Sequence, residues 1–145
     1  MKRIFILLII CDLFFCSMNA QIHFHANVAN NHLWRGMEVA DGMVFTSDIS
    51  ITDKNEYFRI GLWGGTNTSG TYKEFNHYVS FTYRQLNLSV WDTYNFSPGA
   101  TYNNKEYFNY SAHSTGRFID ATVSYRFGKQ FPLSVSWSTI LFGRD

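Results

Sequence analysis

Cysteine is confined to the first twenty residues of this 145-residue chain, at Cys11 and Cys16. From Gln21 onward there is none, which removes a disulfide scaffold, a thiolate metal site and a cysteine nucleophile together. Charge of one sign is also missing: the formal net charge is +1, so nothing directs the chain to nucleic acid or to an acidic partner. Runs of Leu, Ala, Glu and Lys that build average helices are absent, and no helical period of useful length follows residue 20. No Gly-x-Ser-x-Gly elbow occurs, and no local signature ties His77 or His113 to a nucleophile, so the reading is of a protein that is not an enzyme. The five histidines are scattered; only His23 and His25 share a strand face, too little for a metal site, and no cofactor is implied.

What is present is aromatic side chain, 19% of the residues, in a pattern of period two. The length suits one domain, and the class expected is all-β. Residues 1–20 read as a cleaved signal peptide. Lys2 and Arg3 make a basic start, Ile4 to Phe15 an apolar stretch, and Ser17-Met18-Asn19-Ala20 a cleavage region. The apolar run is shorter than the 18 to 20 or so residues of a membrane span, which argues against an anchor helix. Lipid attachment at Cys16 is disfavoured by Phe14 and Phe15, where small residues are wanted.

Residues 21–145 divide into seven alternating segments. The first places Ile22, Phe24, Ala26 and Val28 on one face, with a bulge at Asn30-Asn31 and a turn ending at Asp41-Gly42. Met43 to Thr52, Tyr57 to Gly65, Lys73 to Arg84 and Leu86 to Asn95 follow as the next four. Arg117 to Phe142 then reads as a hairpin around Gly128 to Pro132, with Ile119, Ala121, Val123, Tyr125 and Phe127 alternating against Asp120, Thr122, Ser124 and Arg126. Connections after the second, fourth and sixth segments read as short, and those after the first, third and fifth as longer, most clearly Phe96 to Gly116. Short turns on one rim and long loops on the other are the pattern of outer-membrane barrels.

The polar faces hold Ser, Thr, Asn and single charges rather than the lysines and glutamates of a water-facing sheet. Arg35, Asp48, Arg59, Glu74, Arg84, Asp120 and Arg126 are therefore the lumen-facing candidates, carrying both signs and so able to brace a narrow interior by pairing; an anion-selecting ladder of the arginines is the competing reading. Two aromatic belts for the lipid interfaces are expected: Phe58, Tyr83, Tyr125 and Phe127 at the short-turn rim, and Trp34, Phe45, Phe75 and Tyr94 at the loop rim. Trp63 and Trp91 fall on the interior face as packing, and Trp137 lies in mid-strand.

Asn27-Val28, Leu33-Trp34-Arg35-Gly36, Asp41-Gly42 and Gly61-Leu62-Trp63-Gly64-Gly65 carry a resemblance. They resemble the opening strands of the TorF-like porins of Gram-negative bacteria, especially versions from Bacteroidota. The resemblance covers the first three strands best. It implies an outer-membrane β-barrel with a passive transport role and no catalytic residue.

The sequence reading is thus an antiparallel up-and-down transmembrane β-barrel of about seven visible strands, exported to the bacterial outer membrane. Its partners are outer-membrane lipid, the outer-membrane assembly machinery and small solutes, with no nucleic acid. The seventh segment has no partner strand and the chain shows no terminal aromatic strand for the assembly machinery, so the N-terminal part of a longer barrel is expected. Two functions stay open, a passive channel and a structural or adhesive barrel that meets an extracellular partner through its loops.

Overall fold

The computed structural model describes residues 20–99, 105–111, 114–128 and 131–143. The expected signal segment, apart from Ala20, lies outside the described residues. Seven strands follow one another: β1 (Gln21–Trp34), β2 (Met37–Thr52), β3 (Phe58–Asn67), β4 (Lys73–Tyr83), β5 (Leu86–Asn95), β6 (Phe118–Arg126) and β7 (Ser134–Gly143). They form one antiparallel sheet in sequence order, so every ladder joins neighbours along the chain. The fold is all-β and up-and-down, as the alternation predicts.

The first turn differs from the sequence reading. It lies at Arg35-Gly36, not at Asp41-Gly42, and Met37 to Gly42 belongs to β2, which reaches 16 residues. Both turn residues take positive φ, 52° and 80°, as a two-residue hairpin turn of the primed kind requires. Glycine meets that demand at no steric cost, whereas Arg35 meets it against its preference. The connection after β1 is accordingly tight, and the long–short alternation reduces to one long link, Phe96 to Arg117, between β5 and β6.

The paired registers carry rows of side chains across the whole sheet. One row runs Ile22, Ile51, Ile60, Val79, Val90 and Ala121; the next row on the other face runs His23, Ser50, Gly61, Tyr78, Trp91 and Asp120. Their burial is the inverse of a water-soluble sheet. Ser50 and Thr52 are each 1% exposed, while Phe24 is 68% and Ile60 67% exposed. The polar face is the packed one.

Rolling of the sheet explains that burial. In a flat sheet β1 and β6 would stand about 24 Å apart at the usual strand spacing. Yet the Arg35 guanidinium at the β1–β2 turn donates to the Asp120 carboxylate on β6, and the Trp34 ring meets Phe118 at 5.8 Å. The sheet therefore curls with its polar face concave. No Cα of β1 comes within 8 Å of one in β7, so the two edges do not pair with each other.

Inside the curve, Tyr78 stacks on Trp91 at 4.3 Å and its hydroxyl donates to Asp48 at 3.1 Å. The Tyr78 ring lies over Gly61, where a Cβ would sit only 2.3 Å from it. Nearer the loop rim a small apolar cluster of Ala40, Val44 and Tyr72 packs with Trp63, capped by His32 stacked on Trp63 at 5.3 Å. A Gly61→Ala substitution should displace the Tyr78 ring and destabilise the fold by about 1–3 kcal/mol, seen as a lower urea midpoint. In a Tyr78→Ala background the same substitution should cost far less, and equal costs in the two backgrounds would contradict the contact.

Candidate functional site

The concave face gathers most of the charged residues singled out above. Arg59 donates to Ser50 Oγ at 3.1 Å, Glu74 accepts from Asn76 at 2.7 Å and from Asn95 at 3.5 Å, and Asp120 is buried against Arg35. Serine and threonine hydroxyls complete the lining: Thr122 with Ser138 at 2.8 Å, Ser124 with Ser136 at 2.9 Å, and Asn87 with Thr82 at 2.7 Å. Two of the seven candidates stand apart from this lining. Arg84 forms part of the β4–β5 turn at φ 53° and lies over Tyr83, and Arg126 is exposed at the end of β6. Neither is brought to an acidic partner among the described residues, because each sits where its strand ends.

Of the aromatic candidates, Phe45, Phe58, Tyr83, Tyr125 and Phe127 are exposed on the convex face or at its short-turn edge, with Phe58 against Phe81 and Tyr125 against Phe127. Phe75 shares that face but is half-buried, 6.2 Å from the Tyr107 ring. Trp34 and Tyr94 depart from the belt. Trp34 leans toward Phe118 with Arg35 stacked on it at 4.4 Å, because the tight turn bends across the concave mouth. Tyr94 is buried, covered by the β5–β6 link.

That link builds the second polar constellation, and it does so on the convex face. His77 and Asp92 pair directly in the β4–β5 register, both at positions where the alternation calls for apolar residues. Residues 105–111 fold back over them. Arg117 is 2% exposed; its Nε donates to Asp92 at 2.7 Å and its Nη1 to the Tyr107 carbonyl, and its guanidinium lies 4.3–5.0 Å from the rings of Tyr94, Tyr107 and Tyr110. Tyr110 donates its hydroxyl to the other Asp92 oxygen at 2.8 Å, and the Tyr107 hydroxyl is 2.6 Å from His77 Nε2. The hydroxyl beside the imidazole is thus a tyrosine's, and His77 and Asp92 stand 3.6 Å apart within the same cluster.

Energetically the clasp rests on Arg117. A buried guanidinium needs an anion and donors' partners, and Asp92, one carbonyl and three π-faces supply them, while Nη2 has no hydrogen-bond partner among the described residues. Partial burial first, and then the hydrogen bond to Asp92, hold the Tyr110 phenol above its ordinary value. Sequence reading passed over Arg117, Asp92 and Tyr107 as functional positions. Their signal was the pair of polar residues at apolar parity, His77 between Phe75 and Val79 and Asp92 between Val90 and Tyr94.

Comparison with protein families, with curated proteins and with solved structures finds no match to this chain. No group of three or more metal-binding side chains occurs among the described residues, and His23 instead bonds Thr52 at 3.0 Å.

Arg117→Met should release residues 105–111, raising their opening equilibrium by about 2 kcal/mol, the worth of a hydrogen bond to a charged group. Limited proteolysis in that segment, against unchanged cleavage elsewhere, is the measurement. Because the Tyr110 phenol is raised in the folded state, its contribution is complete below about pH 10 and is lost as pH rises through the raised value. The released form deprotonates first, so protection of the segment should fall on the alkaline side; protection that stays flat through the tyrosine range would contradict the clasp.

Proposed function

We propose that this sheet forms wall of an outer-membrane β-barrel, with its convex face against lipid and its concave face lining an interior for the passive movement of small solutes. The observation that carries it is the inverted burial: hydroxyls and carboxylates packed inside, Ile, Leu, Val and Phe exposed outside. About a dozen such side chains, each keeping roughly half its area in contact with solvent, would forgo on the order of 10 kcal/mol in water. That equals the whole stability of an ordinary domain. In hydrocarbon the same face is at rest.

Other features agree. Strands of 9 to 16 residues reach the roughly 9–11 that a tilted span requires. Hydrogen-bonded ladders satisfy backbone groups within the sheet, as lipid demands. The edges β1 and β7 run in the same direction, being odd members of an up-and-down series. A closed, fully antiparallel barrel containing them therefore adds an odd number of strands, whichever chain supplies them. The resemblance of Leu33-Trp34-Arg35-Gly36 and Gly61-Leu62-Trp63-Gly64-Gly65 to TorF-like porins supports the same reading, with a bacterial exporter's signal at residues 1–20.

A non-conducting structural barrel is the second reading, and one observation favours it. The Arg35–Asp120 bridge crosses the mouth of the concave face, and Tyr78 and Trp91 fill its floor. Planar-bilayer recording separates the two. A channel should give discrete openings, and Arg35→Ala should widen them by removing the crossing side chain. A membrane-inserted protein that passes no current, with or without Arg35, would establish the structural reading. The membrane assignment itself is checked by partition: a chain from Gln21 that remains monomeric in buffer without detergent would overturn it.

A further inference from the structure

One mid-sheet row of the convex face has a polar break. The register places Phe24, Ile49, Leu62, His77, Asp92, Ile119 and Phe142 in one row across all seven strands. Five of the seven are apolar, and the two that are not stand side by side on β4 and β5. On β5 the uninterrupted outward stretch, Leu86 through Val90, covers roughly 13 Å of strand. An apolar band is about 25 Å tall. Left bare, Asp92 would face the same medium as Leu62 and Ile119.

It is not bare. The β5–β6 link lies over this break from outside: Tyr107 stands against Phe75, His77 and Tyr94, and Arg117 neutralises Asp92 underneath. Outward, the link presents Phe108 together with Lys105 and Glu106. The Phe108 ring lies 5.0 Å from that of Tyr107 and is 84% exposed; Phe96 and Tyr110 are exposed as well. A phenylalanine that open is not held there by packing among the described residues.

We propose that residues 105–111 of the β5–β6 link are a strap that completes the lipid-contacting surface, sealing the His77–Asp92 break with Arg117 and seating Phe108 in the membrane interface. The partner is lipid at the level where headgroups meet acyl chains, since the strap presents the open Phe108 ring beside the exposed Lys105 and Glu106, an apolar group and charged groups together. The Asp92 charge is kept inward and paired with Arg117, while Lys105 and Glu106 are exposed, where headgroups rather than acyl chains meet them. The link thus belongs to the wall instead of projecting into the solvent to meet a protein. This inference rests on the membrane reading above, and the experiment tells their failures apart.

The protein with Cys11 and Cys16 changed to Ser receives a single cysteine, by Phe108→Cys, Ile60→Cys or Asn55→Cys, each labelled with an environment-sensitive fluorophore. It is inserted into phosphatidylcholine vesicles carrying nitroxides either near the headgroup or deep in the acyl chain, with iodide as the aqueous quencher. All three positions are exposed, so labelling leaves the packing intact. The probe at residue 108 should be quenched about two-fold or more strongly by the shallow nitroxide than by the deep one or by iodide, as an interfacial ring is. At residue 60 the deep nitroxide should dominate, and at residue 55 iodide. Adding Arg117→Met should shift the residue 108 probe toward iodide, since the strap loses its clasp. If the residue 108 probe answers to iodide alone while residue 60 answers to deep lipid, the strap faces water, the wall stands and this proposal falls; a loop that meets a protein partner gives that result. If residue 60 answers to iodide, the membrane reading falls and takes the strap with it.

Discussion

Alternation in a β-strand has no tolerance for a slip: moving one strand by a single residue carries its whole apolar set to the opposite face. Here six ladders keep their registers from β1 to β7, so Ile22 and Val90, which lie on β1 and β5, share one face, and Ser50 and Asp120 share the other. Irregularities occur only near the loop rim, between Ala29 and Asn31, between His32 and Leu33, and between Ile119 and Asp120. Everything else follows from that coherence. Because the polar row is continuous, curling buries hydroxyls that bond one another, and because the apolar row is continuous, curling leaves it outside as one surface.

Two Arg–Asp pairs meet different demands within that frame. Arg35–Asp120 acts across the concave side, joining a hairpin tip to a strand that the sheet order places five positions away. Arg117–Asp92 acts on the convex side, joining the base of a long link to the strand before it. In each case an aromatic ring lies against the guanidinium, Trp34 in one and Tyr94, Tyr107 and Tyr110 in the other. Arginine suits both places, since it stays charged, pairs through a fixed fork and stacks as a plane.

The strands and their two faces were legible because period two is a local property; the assignments of Ile49, Leu62 and Ser50 needed only their neighbours. The first turn was not, because Arg35 adopts a backbone conformation that its type seldom takes, and Asp41-Gly42 offers the more familiar turn dipeptide. Gly42 instead sits within β2 at φ 70°. Trp34 and Tyr94 were placed by strand parity and rim position alone, and both moved because a distant segment reached them, Phe118 and Tyr107 respectively. Contacts of that kind depend on how far the sheet curls, and curvature leaves no mark in alternation.

The Arg35–Asp120 contact joins residues 85 positions apart, the widest separation of any side-chain pairing described. Every ladder in this meander can zip from its own turn, but this contact needs all the strands between to be in place first. Closing so wide a span carries a loop-closure cost that local pairing does not. A contact of that span is expected to form late, and interactions made after the rate-limiting step govern how fast a protein comes apart rather than how fast it assembles. A bridge at the mouth of the curve is in this sense a fastener in time: it lengthens the life of the rolled sheet without guiding the chain into it.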